Sequence, residues 1–235
     1  MLTVRLTDAR RQRGLSLVEL MVGIAVGLVV LAASVLVVTG QLTENRRLLL
    51  DTQLQQDLRA TADIITRQLR RAGAWTRADM GVWQPGVPAI RNRNSSIDET
   101  GGGTEITFDY QRAPGLDGPY GFKLEDGVIK SLLSTAGWQD LTDTNVMIVT
   151  SFSVTPSGDD VTYTIPCPKA CTADPADANA TACWPTLTMR RYLVDIAARS
   201  RTDENVVRSI RSQVRVRNEL VAFNDPVDPT VQCPP

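Results

Sequence analysis

The sequence predicts an α+β fold, in which a long N-terminal helix precedes an antiparallel β-sheet head and packs on it with its second half. Three observations predict this fold. Residues 15–38 form an apolar run with a single charge, residues 48–71 repeat apolar side chains at helical spacing, and apolar and polar residues alternate from Thr104 onward. Strands and helices do not alternate after Thr104, so the strands are expected to pair antiparallel. The predicted boundaries are 1–14 for a leader, 15–39 for a membrane helix, 40–73 for an amphipathic helix and 74–235 for the head.

Residues 15–39 are predicted to span a membrane. The apolar run from Leu15 to Val38 covers about 24 residues, or about 36 Å at about 1.5 Å per residue, which is enough to cross a bilayer. Positive charge is retained on the cytoplasmic side of a membrane, so the basic leader is expected in the cytoplasm and the head on the opposite side. The basic residues of the leader are Arg5, Arg10, Arg11 and Arg13.

Glu19 is the one charged residue in this span. A carboxylate at the centre of a membrane helix costs roughly 3 kcal/mol, so such a residue usually has a partner and a function. The plainer interpretation is an acid near the interface whose side chain reaches the lipid headgroups. Gly23 and Gly27 form a GxxxG pair, which permits the close approach of a second helix, although glycine is common in membrane spans.

The segment RGLSLVELMVGIAVGL resembles the N-terminus of the type IV pilin and pseudopilin superfamily, and is most similar to minor pilins of the PilW kind. The matching residues are Gly14, Leu15, Ser16, Leu17 and Glu19. In that superfamily a membrane-embedded aspartyl prepilin peptidase cuts after the glycine and methylates the new N-terminal amine. The resemblance therefore implies cleavage between Gly14 and Leu15 and N-methylation of Leu15. Ser16 stands where the superfamily usually has threonine.

The same resemblance implies a structural role in a filament. The chain would be a minor type IV pilin that primes or caps the pilus, with prepilin peptidase, other minor and major pilins and the inner-membrane assembly platform as partners. Before assembly it would be a single-pass inner-membrane protein with its N-terminus inside, and afterwards it would lie in the periplasm or the extracellular pilus. In a stack of subunits, Glu19 would neutralise the Leu15 amine of a neighbour and set the axial register.

Several alternatives stay open at the level of sequence. A minor pseudopilin of type II secretion would share this N-terminus, and a DNA-uptake or adhesive pilin would use the surface of the head. A secretory signal peptide cut near Ala32–Ser34 would have Glu19 inside its apolar core, which is unusual for such a signal. An uncleaved signal anchor that holds an unrelated domain is the last alternative.

The second half of the helix, residues 40–73, is predicted to be amphipathic. Its apolar side chains recur at steps of three and four residues, and charged or amide side chains fill much of the remaining surface. Gly73 follows the last apolar position and is expected to form the helix C-cap. We expect the apolar face to pack on the sheet, and the same face could pair with a helix of another subunit. The apolar positions are Leu50, Leu54, Leu58, Ala62, Ile65, Leu69 and Ala72.

The head, residues 74–235, is predicted to begin with a turn-rich stretch that holds one or two short strands. This stretch ends in a triple glycine, Gly101–Gly103, which is interpreted as a linker. Asp126 and Gly127 favour a tight hairpin turn within residues 122–133. Further strands are predicted at residues 104–110, 146–154, 161–165, 187–196 and 206–216.

The last predicted strand places Arg211, Arg215 and Arg217 on one face. Three arginines together could bind an acidic partner, a nucleic-acid backbone or a neighbouring subunit. The plainer interpretation, which we favour, is a solvated face whose arginines pair with acids across the sheet.

Cys167, Cys171, Cys183 and Cys233 are predicted to form two disulfides, because an even number of cysteines in an exported domain is typical of a disulfide framework. Three connectivities are possible. A zinc site would need the C-x3-C-x11-C cluster and the distant Cys233 without any histidine, so disulfides are favoured. A bridge to Cys233 would tie the C-terminal tail to the head.

The chain contains no histidine, which removes Ser–His and Cys–His catalytic pairs and the commonest metal ligand. Walker, GxSxG, GxGxxG and HExxH motifs are also absent. Asp174, Asp177 and Asn179 do not have the spacing of an EF-hand loop. We therefore expect no enzymatic activity, no cofactor and no bound metal. The net charge of −1 becomes about −4 when the leader is removed, so nucleic acid is not an expected partner either.

Overall fold

The computed structural model describes the helix and most of the head, namely residues 14, 16–84, 87–113, 115, 117–171, 181–224 and 232–233. Its contacts divide the chain into two units, Met1–Leu48 and Leu49–Pro235. The second unit contains the strands together with the second half of the helix, whereas the boundary drawn from the sequence separated them at residue 73.

A single long helix, α1, runs from Leu17 to Leu69 and contains 53 residues. Its interior has no proline, and residues 46–69 are rich in leucine, glutamine and arginine, which favour a helix. In the second unit one face of α1 is buried at steps of three and four residues, so the predicted apolar face is confirmed. Each buried leucine or isoleucine on this face contributes about 1.5–3 kcal/mol. The buried residues of α1 are Leu54, Leu58, Thr61, Ala62, Ile65, Thr66 and Leu69.

Gly73 closes the turn that follows α1. Its φ of 79° lies in the left-handed region, which glycine adopts without strain. Because α1 already ends at Leu69, Gly73 is not the helix C-cap that the sequence predicted. A β-carbon at this position would also lie 3.1 Å from the Asn218 Cβ, so the site has little space for a side chain. The Gly73 N–H donates to the Asp109 carbonyl at 2.8 Å and thereby fixes the turn to the head.

The last carbonyl groups of α1 and of this turn find donors elsewhere in the head. Terminal helix carbonyls have no intrahelical partner, and an unsatisfied one is costly when buried. Two segments of the head supply the hydrogen bonds, so the end of the helix has a fixed place on them. The bonds run from the Arg217 N–H to Arg70 O (3.2 Å), from Asn218 Nδ2 to Ala72 O (3.0 Å) and from Asn92 Nδ2 to Gly73 O (2.6 Å).

The described strands form three antiparallel sheets, so the prediction of antiparallel pairing is confirmed, although the strands do not share one sheet. The first sheet is a meander in chain order: β1 (Ile97–Thr100), β2 (Glu105–Phe108), β3 (Tyr120–Glu125), β4 (Val128–Leu133) and β5 (Trp138–Asp140). The second has the order β10 (Val207–Arg215), β9 (Arg191–Ser200) and β6 (Met147–Pro156). The third has the order β11 (Leu220–Ala222), β8 (Thr186–Met189) and β7 (Val161–Thr164).

One cluster of buried apolar side chains joins α1 to the first two sheets. Phe108 and Phe122 come from the first sheet, with ring centroids 6.3 Å apart. Val154 and Ile196 come from the second sheet and are fully buried. The packing of α1 onto antiparallel sheets gives the protein an α+β, pilin-like layout.

The hairpin between β3 and β4 forms at the predicted turn. Asp126 and Gly127 have φ values of 52° and 77°, as a two-residue hairpin turn with two left-handed residues requires. The triple glycine, in contrast, is not a linker. Gly101–Gly103 form a short 3-10 turn between β1 and β2, and a β-carbon on Gly103 would lie 2.6 Å from the Val154 carbonyl oxygen. The glycines therefore let the turn pack directly on β6.

The prediction of one strand over residues 187–196 is wrong, because the chain changes sheets at Arg190. β8 and β9 lie on either side of this residue and belong to different sheets. The Arg190 side chain is buried at 7 % exposure, and its Nη1 donates to the Ser95 carbonyl at 2.7 Å. Burial lowers the pKa of the Arg190 guanidinium. The alternation of apolar and polar residues also changes phase here, because Arg190 and Arg191 are consecutive polar residues, and the sequence interpretation missed this signal.

Candidate assembly segment and surface of the head

The first turn of α1 carries the predicted cleavage and register residues. Gly14 and Ser16 are described, whereas Leu15, the predicted site of cleavage and N-methylation, lies outside the described residues. The Leu20 N–H donates to the Ser16 carbonyl at 3.1 Å, so Ser16 occupies the N-cap and Glu19 the third helical position. Serine and glutamate at this spacing form the sequence pattern of a capping box. Glu19 thus has a local way to stabilise the helix start, a role that the sequence interpretation missed although its signal was present.

Glu19 is the only charged residue of α1 before Glu44. Its side chain is exposed, and within the part of the chain that the structure describes it forms no ion pair. The hydroxyl groups farther along bond to carbonyls of their own helix, which satisfies them in an apolar medium. These bonds run from Ser34 to Val30 (2.8 Å), from Thr39 to Val35 (2.9 Å) and from Thr43 to Thr39 (3.0 Å). In contrast to these hydroxyl groups, the Glu19 carboxylate has no ion-pair partner among the described residues.

Gly23 and Gly27 lie on an open surface of α1. No heavy atom would come within 4 Å of a β-carbon at either position, so both glycines have space for a close contact. The large apolar side chains between Leu17 and Leu42 are all exposed. The most apolar part of the helix has a mean hydropathy of 2.8, and α1 is long and apolar enough to cross a membrane.

Two family models match the chain. The prokaryotic N-terminal methylation motif matches residues 9–35, which include Gly14, Leu15, Glu19, Gly23 and Gly27. The model for prepilin peptidase-dependent protein B matches residues 47–216, well over half of the chain. The chain belongs to the prepilin peptidase-dependent protein B family. Searches of curated proteins and of solved structures returned no match.

Membership of this family and the methylation motif together make the chain a type IV pilin-like protein. Prepilin peptidase is accordingly a partner, and the apolar start of α1 is consistent with a membrane anchor. The match to the family begins near the end of the first unit and continues to β10. The N-terminal segment and the head match two separate family models, and both models indicate the same class of protein.

The four cysteines of this family member form two disulfides within the described residues. Cys167 is bonded to Cys233 and Cys171 to Cys183, with sequence separations of 66 and 12 residues. All four are buried, and Trp184 Nε1 donates to the Lys169 carbonyl at 2.8 Å beside them. The family match ends at residue 216, so Cys233 and β11 lie beyond it. Asp174, Asp177 and Asn179 lie outside the described residues.

Acidic side chains partly neutralise the positive charge of the arginines on and just after β10. Arg211 lies directly opposite Asp195 on β9 and forms an ion pair with it, which raises the pKa of Arg211. Arg215 forms an ion pair with Glu219. Arg217 is exposed and has no ion pair with another described residue. The pairing across the sheet that we favoured from the sequence is thus found for Arg211, while Arg215 pairs with an acid just beyond its own strand.

The described part of the head offers no group of three or more histidine, cysteine, aspartate or glutamate side chains placed to hold a metal ion.

Arg208, another arginine of β10, forms an ion pair with α1. Its guanidinium contacts the Asp51 carboxylate, with Nη2 2.8 Å from Oδ2. This ion pair ties the end strand of the second sheet to the helix.

Proposed function

We propose that the chain is a minor type IV pilin of the PilW kind, a non-enzymatic subunit that primes or caps the pilus after prepilin peptidase cuts between Gly14 and Leu15. It inserts into the inner membrane as a prepilin with its N-terminus inside. It then joins other minor and major pilins at the assembly platform and moves into the periplasmic or extracellular filament.

One observation carries the proposal: Glu19 is an exposed carboxylate in an otherwise apolar and outward-facing segment. A charge in that setting is costly unless another group neutralises it. Methylation leaves the new Leu15 amine positively charged, so the amine of a neighbouring subunit is a suitable partner. Gly23 and Gly27 would let the neighbouring helix approach closely enough for this pairing.

Glu19 variants separate the proposed role in register from the local role in helix capping. Glutamine keeps the hydrogen-bonding capacity of a capping box but removes the charge, whereas alanine removes both. We expect Glu19→Gln and Glu19→Ala to be cleaved normally and to be almost absent from purified filaments, as measured by immunoblot of sheared pili against membranes. If Glu19→Gln enters filaments at the wild-type level, the charge has no role in assembly.

A minor pseudopilin of type II secretion is the second candidate, because the methylation motif and the family match suit either filament. Deletion of the gene distinguishes the two. We expect loss of surface pili with normal export of secreted enzymes. The opposite result, normal pili with secreted enzymes retained in the periplasm, would assign the chain to the secretion system.

A further inference from the structure

A pocket of about 260 Å³ opens beside the end of α1. The loop after the helix supplies Trp75, Val82 and Ile90, and the segment around β11 supplies Val221 and Phe223. Val82 is 62 % exposed and Ile90 39 % exposed, so the rim presents apolar surface to solvent.

The walls of this pocket are held in place by contacts within the head. The Ile90 N–H donates to the Met80 carbonyl at 2.8 Å, which orders the loop. A β-carbon on Gly81 would lie 3.2 Å from the Trp75 ring, so this residue packs closely on the indole. On the opposite wall, the Arg91 guanidinium lies 5.0 Å from the centre of the Phe223 ring. The pocket is therefore preformed.

Positive charge lies next to the apolar lining. Arg217 lines this pocket and also an adjoining depression that Arg70 and Arg215 complete. Arg215 is paired with Glu219, but Arg70 and Arg217 form no ion pair with another described residue. Among the described residues, three arginines and one carboxylate thus border this depression, in a protein whose net charge is −1. Such a local excess attracts an anionic group.

We propose that this pocket docks an acidic, extended segment of another protein chain, in which an aromatic or large aliphatic side chain is adjacent to an aspartate or glutamate. The apolar side chain enters the pocket, and the neighbouring carboxylate pairs with Arg217 and Arg70. Sites that enclose small molecules usually have about 300–1,000 Å³, so a pocket below that range suits a single anchoring side chain. Tryptophan and arginine are also the residues most enriched among strong contacts between proteins.

This inference concerns the head alone and does not depend on the filament to which the chain belongs. It is tested with the full chain in lipid nanodiscs, labelled with 5-fluorotryptophan and followed by fluorine NMR. The Trp75 resonance is assigned with Trp75→Phe. Three capped peptides serve as probes: Gly-Asp-Trp-Asp-Gly, Gly-Asn-Trp-Asn-Gly and Gly-Asp-Ala-Asp-Gly.

We expect the acidic tryptophan peptide to shift the Trp75 resonance saturably. The amide peptide should bind about three- to five-fold more weakly, as exposed ion pairs usually contribute. The alanine peptide should bind at least about ten-fold more weakly, because it lacks the apolar group. Arg217→Ala should weaken binding of the acidic tryptophan peptide by part of this difference, and Arg217→Ala with Arg70→Ala should weaken it to the level of the amide peptide. Neither change should alter binding of the amide peptide.

Arg211→Ala is the matched control, since Arg211 is an exposed arginine of the same region that does not line the pocket. It should bind all three peptides as the wild type does. The proposal is overturned by the absence of saturable binding, by equal affinity for the acidic and amide tryptophan peptides, or by equal losses in Arg217→Ala and Arg211→Ala. If the arginines serve only the negative end of the α1 dipole, Arg217→Ala lowers the melting temperature but leaves peptide affinity unchanged, which also contradicts the proposal.

Discussion

Between Leu17 and Leu48 every side chain of α1 is exposed, whereas from Leu54 to Leu69 the same helix buries one face in a closed core. The described large apolar side chains of the first unit are exposed, whereas Leu54, Leu58 and Leu69 in the second unit are at most 2 % exposed. Under the proposed function, lipid or other subunits would bury the side chains of the first unit. The second unit buries its apolar face of α1 in its own core.

Because of this difference, we expect substitutions in the two units to have different effects. A change in the first unit is expected to alter processing or assembly without altering the stability of the head. A change in the core of the second unit is expected to lower stability while leaving the N-terminal segment available to prepilin peptidase. Each of the following experiments tests one side of that division.

Replacement of Gly14 should have the largest effect. In Gly14→Val a branched side chain occupies the position before the predicted cut, so we expect complete loss of cleavage, seen as a chain of full length on immunoblots. Thermal unfolding of the head, followed by near-ultraviolet circular dichroism, should be unchanged. Normal cleavage would contradict the assignment of Gly14, and a large fall in melting temperature would contradict the separation of the two units.

Leu58→Ala should strongly destabilise the head. Leu58 is 2 % exposed in the core, and truncation of such a leucine usually costs about 2–5 kcal/mol because it leaves a cavity. Urea unfolding of the full chain in nanodiscs measures this loss. The control is Leu36→Ala, where the leucine is 74 % exposed, and it should change the free energy of unfolding by less than about 0.5 kcal/mol.

Equal losses in these two variants would mean that the first unit is packed within the folded monomer. That result would contradict the difference in burial between the two halves of α1.

The two disulfides should differ in their contribution. Loss of a bond that closes a longer loop restores more freedom to the unfolded chain, so Cys233→Ser with Cys167→Ser should cost more than Cys171→Ser with Cys183→Ser. From the separations of 66 and 12 residues, the difference is about 1.5 kcal/mol. Denaturant unfolding of the two double variants checks the order, and a reversed order would mean that native-state packing outweighs chain entropy.

The smallest effect is expected at the ion pair between Arg208 and Asp51. Both side chains are partly exposed, so the pair should contribute only about 0.2–1 kcal/mol. A double-mutant cycle with Arg208→Ala and Asp51→Ala measures this coupling by urea unfolding. A coupling well above that range would show that this contact is a major link between α1 and the second sheet.

Much of this architecture could be predicted from sequence, because several signals were local. The apolar face of α1, the hairpin turn at Asp126 and Gly127 and the alternating strands each depend on residues close together in the chain. The N-terminal residues could be assigned by resemblance, since the whole pattern lies within a short segment. The serine and glutamate of the capping box are equally local, so their spacing alone could have predicted the helix start.

Other features depend on contacts that sequence spacing does not contain. At Arg190, where the chain changes sheets, the side chain donates to the Ser95 carbonyl, which lies far away in the chain. Gly103 is required by the close approach of Val154, and the disulfide connectivity depends on which cysteines the strands bring together. The pocket beside Trp75 likewise combines a loop, the end of a helix and a late strand.

In the proposed function, prepilin peptidase processes this chain so that Glu19 can meet a neighbour's amine in a filament. The most direct test is the intact mass and N-terminal sequence of the protein isolated from its native membrane. We expect a chain that begins at Leu15 and is one methyl group heavier than its sequence. A chain that begins at Met1 or near Ser34 would contradict it, because the protein would then be a plain membrane anchor or a secreted domain.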